Sequence, residues 1–138
     1  MTPKQISLVQ STWEMVVPIQ KQAATIFYDK LFAADPSLRP LFKGDLEEQK
    51  DKLMKMIGIA VNSLDHLDEI VPAVQDLGRR HQGYGVKPKD YMTVGSALLS
   101  TLEAGLGPHF TPEVKEAWAT VYGILSQAML AAAEEAAA

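Results

Sequence analysis

"DLGRRHQGYGV", Asp76 to Val86, sets a histidine behind two arginines and ahead of two glycines. Upstream of it, Ile70, Val74, Leu77 and His81 recur at spacings of four, three and four. That is the period of one face of a helix, so His81 falls on the apolar side of a helical segment. Pro72 suits the first turn of this helix. Gly83 and Gly85 can end it, because glycine accepts the left-handed geometry of a helix cap. On its own, a histidine on an apolar face reads as a satisfied core residue. Polar company on other inward faces changes that weighing.

Outward from this segment the helical period continues in both directions, with no alternating strands and no hairpin turns. Thr2, Pro3 and Gln5 form the start signal of a first helix, followed by the stripe Ile6, Val9, Trp13 and Val16. Pro18 marks a boundary. Ala24, Tyr28 and Leu31 then share a line, with Ala23 and Phe27 beside it. "DPSLRPLF", Asp35 to Phe42, reads as a short helical turn capped by Asp35, opened by Pro36 and limited by Pro40. A long helix is expected from Asp45, with Glu48 reaching back to cap it and Leu46, Gln49, Leu53, Met56 or Ile57, and Ala60 inward. A loop is expected near Asn62 to Asp68. After His81, Pro88 and Asp90 open a helix with Tyr91, Val94, Leu98 and Leu102 inward, which Gly107 and Pro108 stop. Thr111 and Pro112 open the last one, with Val114, Trp118, Val121, Leu125 and Met129 inward. The tail "AAAEEAAA" extends it. The fold class is therefore all-α, in one domain spanning 1–138.

Composition narrows the function classes. The 138 residues are 47% apolar and 22% charged, enough for a single buried core. A net charge of −4 argues against nucleic-acid binding. No apolar run is long enough to span a bilayer, and the N-terminus lacks the plan of a secretion signal. The absence of cysteine removes disulfides, thiolate metal sites, thiol catalysis and covalent haem attachment through C-x-x-C-H, and fits a cytoplasmic setting. No phosphate-cradling loop and no H-E-x-x-H motif occurs. His66 and His109 fall in loop-like segments. The acidic pairs Glu47–Glu48 and Asp65–Asp68 read as helix-start charges.

Tyr28 and Gln49 are, like His81, polar groups on inward stripes, each on a different helix. Buried without a partner, each costs about 1–3 kcal/mol. The three can pair with one another or with water, or they can face a shared ligand. Phe42 reads first as core. Lys52 and Arg80 lie beside inward positions, as solvated charges or as cations at a cavity rim meeting an acidic ligand group.

Taken together, "FYDKLFAADPSLRPLF", "LGRRHQGYGV", the pair Trp118 and Tyr122, and the placing of His81 32 positions after Gln49 resemble the globin family. The likeness is to single-domain bacterial globins related to the haem domain of flavohaemoglobins, and also to neuroglobin; it covers essentially the whole chain. It implies a globin fold of about seven to eight helices around b-type haem. It makes His81 the proximal iron ligand and sets Arg80, with Lys52 at the other edge, against the haem propionates. Phe42 would pack on the porphyrin, and Leu53, Val86 and Leu98 would line the pocket. Tyr28 and Gln49 would be distal residues over an open or water-bound sixth position.

The activity implied is reversible binding of O2, with CO and NO as further ligands, in a monomer or weak homo-oligomer. A phenol and an amide can both donate to a ligand that draws negative charge, and such a bond is worth about 1.5–3 kcal/mol. The alternative is a nitric oxide dioxygenase, with Tyr28, Gln49 and Tyr91 as its catalytic residues. With no flavin or nicotinamide domain expected in the chain, it would need a separate reductase. Flavohaemoglobins support the proximal histidine with a tyrosine and a glutamate. Tyr91 matches the tyrosine, but the glutamate's place falls at Ala133, with Glu134 one step and roughly 100° further round the helix. A third reading is a sensor or a haem-free interaction protein on the same fold.

Overall fold

The computed structural model describes residues 2–42, 44–83 and 86–137. Among these, six α-helices form: α1 (Pro3–Val16), α2 (Gln20–Ala34), α3 (Leu46–Asn62), α4 (Leu67–Gly83), α5 (Pro88–Leu106) and α6 (Pro112–Ala137). Four short 3-10 turns join them, at Val17–Ile19, Pro36–Leu41, Leu64–His66 and Gly107–His109. The count is six rather than seven or eight. The proline-bearing segments at Pro18, at Pro36 to Pro40 and at Pro108 wind as tight turns, where a missing N–H and a fixed φ do not allow a further α-helix.

Local chemistry sets most ends. Thr2 Oγ1 accepts from Gln5 N while Gln5 Oε1 accepts from Thr2 N, a complete capping box. Asp35 accepts from Ser37 N, and Thr111 from Val114 N. Gly107 ends α5 with φ +54°, the region that favours glycine. Two boundaries differ from the expectation. Asp45 caps α3 by accepting from Glu47 N at 2.9 Å, and Glu48 lies 3.8 Å from Lys52 instead of reaching back. The segment expected as a loop up to Asp68 is a 3-10 turn, and α4 begins at Leu67. Pro72 therefore sits inside α4, past its first turn. The carbonyl it leaves without a helical donor belongs to Asp68, which is exposed and reaches water. α4 ends at Gly83; Gly85 lies outside the described residues.

The core has two parts. One gathers Val9, Trp13 and Val16 of α1 with Leu102, Leu106, Val114, Trp118 and Val121. The two indoles meet at 6.2 Å, tilted, and Trp118 Nε1 donates to the buried Thr12 Oγ1 at 2.9 Å. The other gathers Phe27, Tyr28, Leu31 and Leu38 with Ala97. Leu53 and Leu98 pack against both. α4 docks along α6, while α3 and α5 stand off from it. That separation makes the site.

Candidate functional site

A cavity of about 370 Å³ lies between α4 and the rest of the molecule. Leu53, Ile57 and Ala60 of α3, Ile70, Val74 and Leu77 of α4, Val94 and Leu98 of α5, and Leu125 and Met129 of α6 line it. Met56 and Ile59, both exposed, extend this apolar wall outward. The volume is that of a small-molecule or cofactor pocket, and the lining is the apolar kind such pockets have. The stripe that marks α4 as amphipathic is thus a cavity wall. Its position is fixed by Gly78, which brings α4 against the main chain of α6: a Cβ built there would lie 2.6 Å from Met129 Cα.

His81 lines this cavity. Its Nδ1 lies 2.7 Å from the Leu77 carbonyl oxygen. A carbonyl only accepts, so Nδ1 carries the proton and Nε2 keeps a lone pair. Nε2 makes no hydrogen bond among the described residues. Burial pushes the imidazole below its ordinary pKa, the Leu77 bond acts in the opposite sense, and the Arg80 charge lowers it again. The net direction favours the neutral ring, which is the form that binds metal. Just beyond the end of α4, Val86 N donates to the His81 carbonyl at 3.0 Å.

Tyr91 stands across from His81, with ring centroids 6.5 Å apart. Its hydroxyl is buried and has no hydrogen-bond partner among the described residues, and burial raises its pKa. An unpartnered buried hydroxyl costs about 1–3 kcal/mol, so this group marks a place where a polar atom is wanted. Glu134 does not supply one, being exposed, while Ala133 is buried. The Tyr91 main chain is held by Tyr122, whose hydroxyl donates to the Tyr91 carbonyl at 2.6 Å. The Tyr122 ring rests on Gly95, where a Cβ would come within 2.8 Å of it.

Tyr28 is buried in an aromatic group, edge-on to Phe27 at 5.1 Å and to Phe42 at 5.3 Å, with Phe32 at 5.7 Å. Desolvation pushes its pKa up to about 12, so it stays a phenol at any ordinary pH. Phe27 reaches the cavity wall; Tyr28 and Phe42 lie behind it. Gln49 is half-buried in the first turn of α3. The structure thus brings Leu53, Arg80, His81, Tyr91 and Leu98 together around one cavity, and leaves Tyr28, Phe42, Gln49, Lys52 and Val86 outside its wall. Arg80 Nε pairs with Asp76 at 3.2 Å and Lys52 with Glu48 at 3.8 Å. Both pairs are exposed and weak, so either cation is available to another anion. Gly78 and Gly95 escaped the sequence reading. Their signal was only that glycine is rare inside a helix.

No group of three or more His, Asp or Glu able to hold a metal ion occurs among the described residues. A metal served by one imidazole must bring its other ligands with it. A planar macrocycle does so, and an apolar slot receives its faces. The orphaned Tyr91 hydroxyl, the free Nε2 and the apolar walls therefore fit haem.

Comparison with known proteins agrees. The sequence profile of the globin family matches residues 25–129. Neuroglobin of Danio rerio is 32% identical over 143 residues, covering 94% of this chain and 90% of its own length. A flavohemoprotein of Bacillus subtilis is 32% identical over 133 residues, covering 92% of this chain but 33% of its own length. Two solved structures share the fold. A bacterial globin from Campylobacter jejuni has a TM-score of 0.84 at 22% identity, with 97% of each chain covered. An engineered carbene transferase from Rhodothermus marinus, provisionally a nitric oxide dioxygenase, has a TM-score of 0.88 at 21% identity, with 98% and 94% covered.

Proposed function

The chain belongs to the globin family, and from that premise we propose that it holds haem b and reversibly binds small diatomic ligands, O2 foremost and CO and NO besides. One observation carries the reading: a neutral imidazole, its Nδ1 committed to Leu77, presents Nε2 to an apolar cavity. His81 would hold the haem iron, and the haem when bound would supply the diatomic-binding chemistry.

The residues of the chain do the rest. Leu77 fixes the tautomer and the orientation of His81, as hydrogen-bond partners of ligating histidines generally do. Leu53, Val94 and Leu98 exclude water from the cavity. Arg80, at the cavity edge, exchanges Asp76 for an acidic group of the cofactor, since an exposed pair is worth only about 0–1 kcal/mol. Tyr28, held as a phenol, and Gln49 lie outside the cavity wall on the α2 and α3 side, so donation from either to a bound ligand needs the Phe27 side of that wall to open. A hydrogen bond from either to a ligand bearing negative charge is worth about 1.5–3 kcal/mol.

Nitric oxide dioxygenation with a separate reductase is the second reading, favoured by the flavohemoprotein likeness over 92% of this chain. The proximal side weighs against it. Among the described residues, His81 donates to a main-chain carbonyl and Tyr91 has no carboxylate partner. Within these residues the imidazole has no negative partner to make it electron-rich.

The test is the visible spectrum of the purified chain loaded with haemin, beside His81→Ala. A Soret band that binds CO in the parent and is lost or shifted in the variant supports the reading. An unchanged spectrum and CO affinity in His81→Ala overturns it. Mixing the oxygenated parent with NO, with and without a reductase, separates the second reading: sustained turnover supports it, and a single turnover supports the first.

A further inference from the structure

The other face of α3 borders a second pocket, of about 290 Å³, between α3 and α2. Its lining has a different character. Lys21 comes from α2 and Lys50 and Lys55 from α3, against one carboxylate, Asp51, while Ala24 and Met54 are buried lining residues. Lys21 and Lys55 form no ion pair among the described residues. Lys50 is the best sheltered, its side chain only 13% exposed, and its Nζ is 2.9 Å from the carboxylate of Glu47, which is 78% exposed. Three lysines lining one cleft in a chain of net charge −4 run against the overall charge balance. Three lysines against one carboxylate give the concave wall a net positive charge, and such a wall concentrates anions.

We propose that this α2–α3 pocket is a binding site for a small phosphate monoester. The lysines suit the dianion, since an ammonium binds phosphate as a point charge without the planar geometry an Arg fork demands. Lys50 is the anchor, because its partial shelter weakens solvent screening and the Glu47 carboxylate it would give up is largely in water. Ala24 and Met54 supply an apolar surface for the organic part, which inorganic phosphate lacks. The site is separate from the larger cavity and does not depend on haem. The two share α3, with Met54 on this pocket and Leu53 on the other.

The test is a titration of the purified full chain, followed by amide chemical shifts. Glycerol phosphate, inorganic phosphate and chloride are compared at matched ionic strength. Saturable shifts centred on Lys21 and Lys50 to Lys55 are expected with glycerol phosphate, weaker with inorganic phosphate and absent with chloride. Lys50→Gln should weaken glycerol phosphate binding at least tenfold, while Lys115→Gln, an exposed lysine on α6, should leave it unchanged. If Lys50→Gln fails to fold, Lys21→Gln and Lys55→Gln carry the same comparison. Shifts equal to those from chloride, or an equal loss in Lys115→Gln, would overturn the site. Inorganic phosphate binding as tightly as the monoester would overturn the assigned ligand class.

Discussion

Gly78→Ala adds one methyl group where α4 crosses α6, and two effects compete over its sign. Alanine is better than glycine inside a helix by about 1 kcal/mol, so propensity alone predicts a stabilised variant. Packing opposes it. The new Cβ would stand 2.6 Å from Met129 Cα and 2.7 Å from its carbonyl carbon, with the carbonyl oxygen also in its path. All three are main-chain atoms, so no side chain can rotate away and one helix must move. Overpacking costs about 1–3 kcal/mol, and a backbone obstacle belongs at the top of that range. The net loss is then about 2 kcal/mol. At this chain length each kcal/mol shifts the melting temperature by about 3–5 °C, so a fall of roughly 6–10 °C is expected. Gly123→Ala is the control, since it lies inside α6 with nothing within 4 Å of its added Cβ. It should gain up to about 1 kcal/mol. Thermal melts by circular dichroism measure both. A Gly78→Ala protein melting at or above its parent would refute the argument about the helix crossing.

Three further outcomes are expected. Tyr28→Phe removes a donor that burial keeps protonated, and the oxygen off-rate should rise roughly ten- to a hundredfold, with CO changing less; an unchanged rate by flash photolysis removes Tyr28 from the ligand's surroundings. Thr12→Val strips the acceptor from Trp118 Nε1 and should cost about 1–3 kcal/mol in urea, which Thr12→Ser largely restores. The depressed pKa of His81 means that the unfolded chain binds more protons near the ordinary value of 6.5. Stability of the haem-free chain should therefore be full above that pH and fall as pH drops through 6.5 toward the folded value. His81→Leu should flatten this slope, and an undiminished slope would place the titration elsewhere.

What the sequence made legible was chiefly local. The caps at Thr2, Asp35 and Thr111 are written within three residues of the groups they satisfy, and each was readable. The stripe ending at His81 was readable because helical period is a property of neighbours. Pro72 was misplaced because a proline signals a first turn, and only the exposed acidic start of α4 shows that the helix begins earlier. Glu48 was expected to reach back to Asp45 from a spacing rule, but the Asp45 carboxylate takes the Glu47 main-chain N–H and Glu48 lies beside Lys52 instead. Gly78 could not be interpreted at all, since its obstacle, Met129, lies 51 residues away. Nor does periodicity say which inward residues reach the cavity. Tyr28 and Leu53 both face inward, but Phe27 occupies the wall beside Tyr28.

Helix α4 packs chiefly on α6, and the cavity separates it from α3 and α5. A leaf fastened along one edge can swing out while the paired indoles of α1 and α6 keep their seats. Amide exchange along α4 should then be governed by a local opening far cheaper than global unfolding. On the proposed haem reading, acquiring or surrendering the group would be an event within this one leaf, without dismantling the rest of the chain.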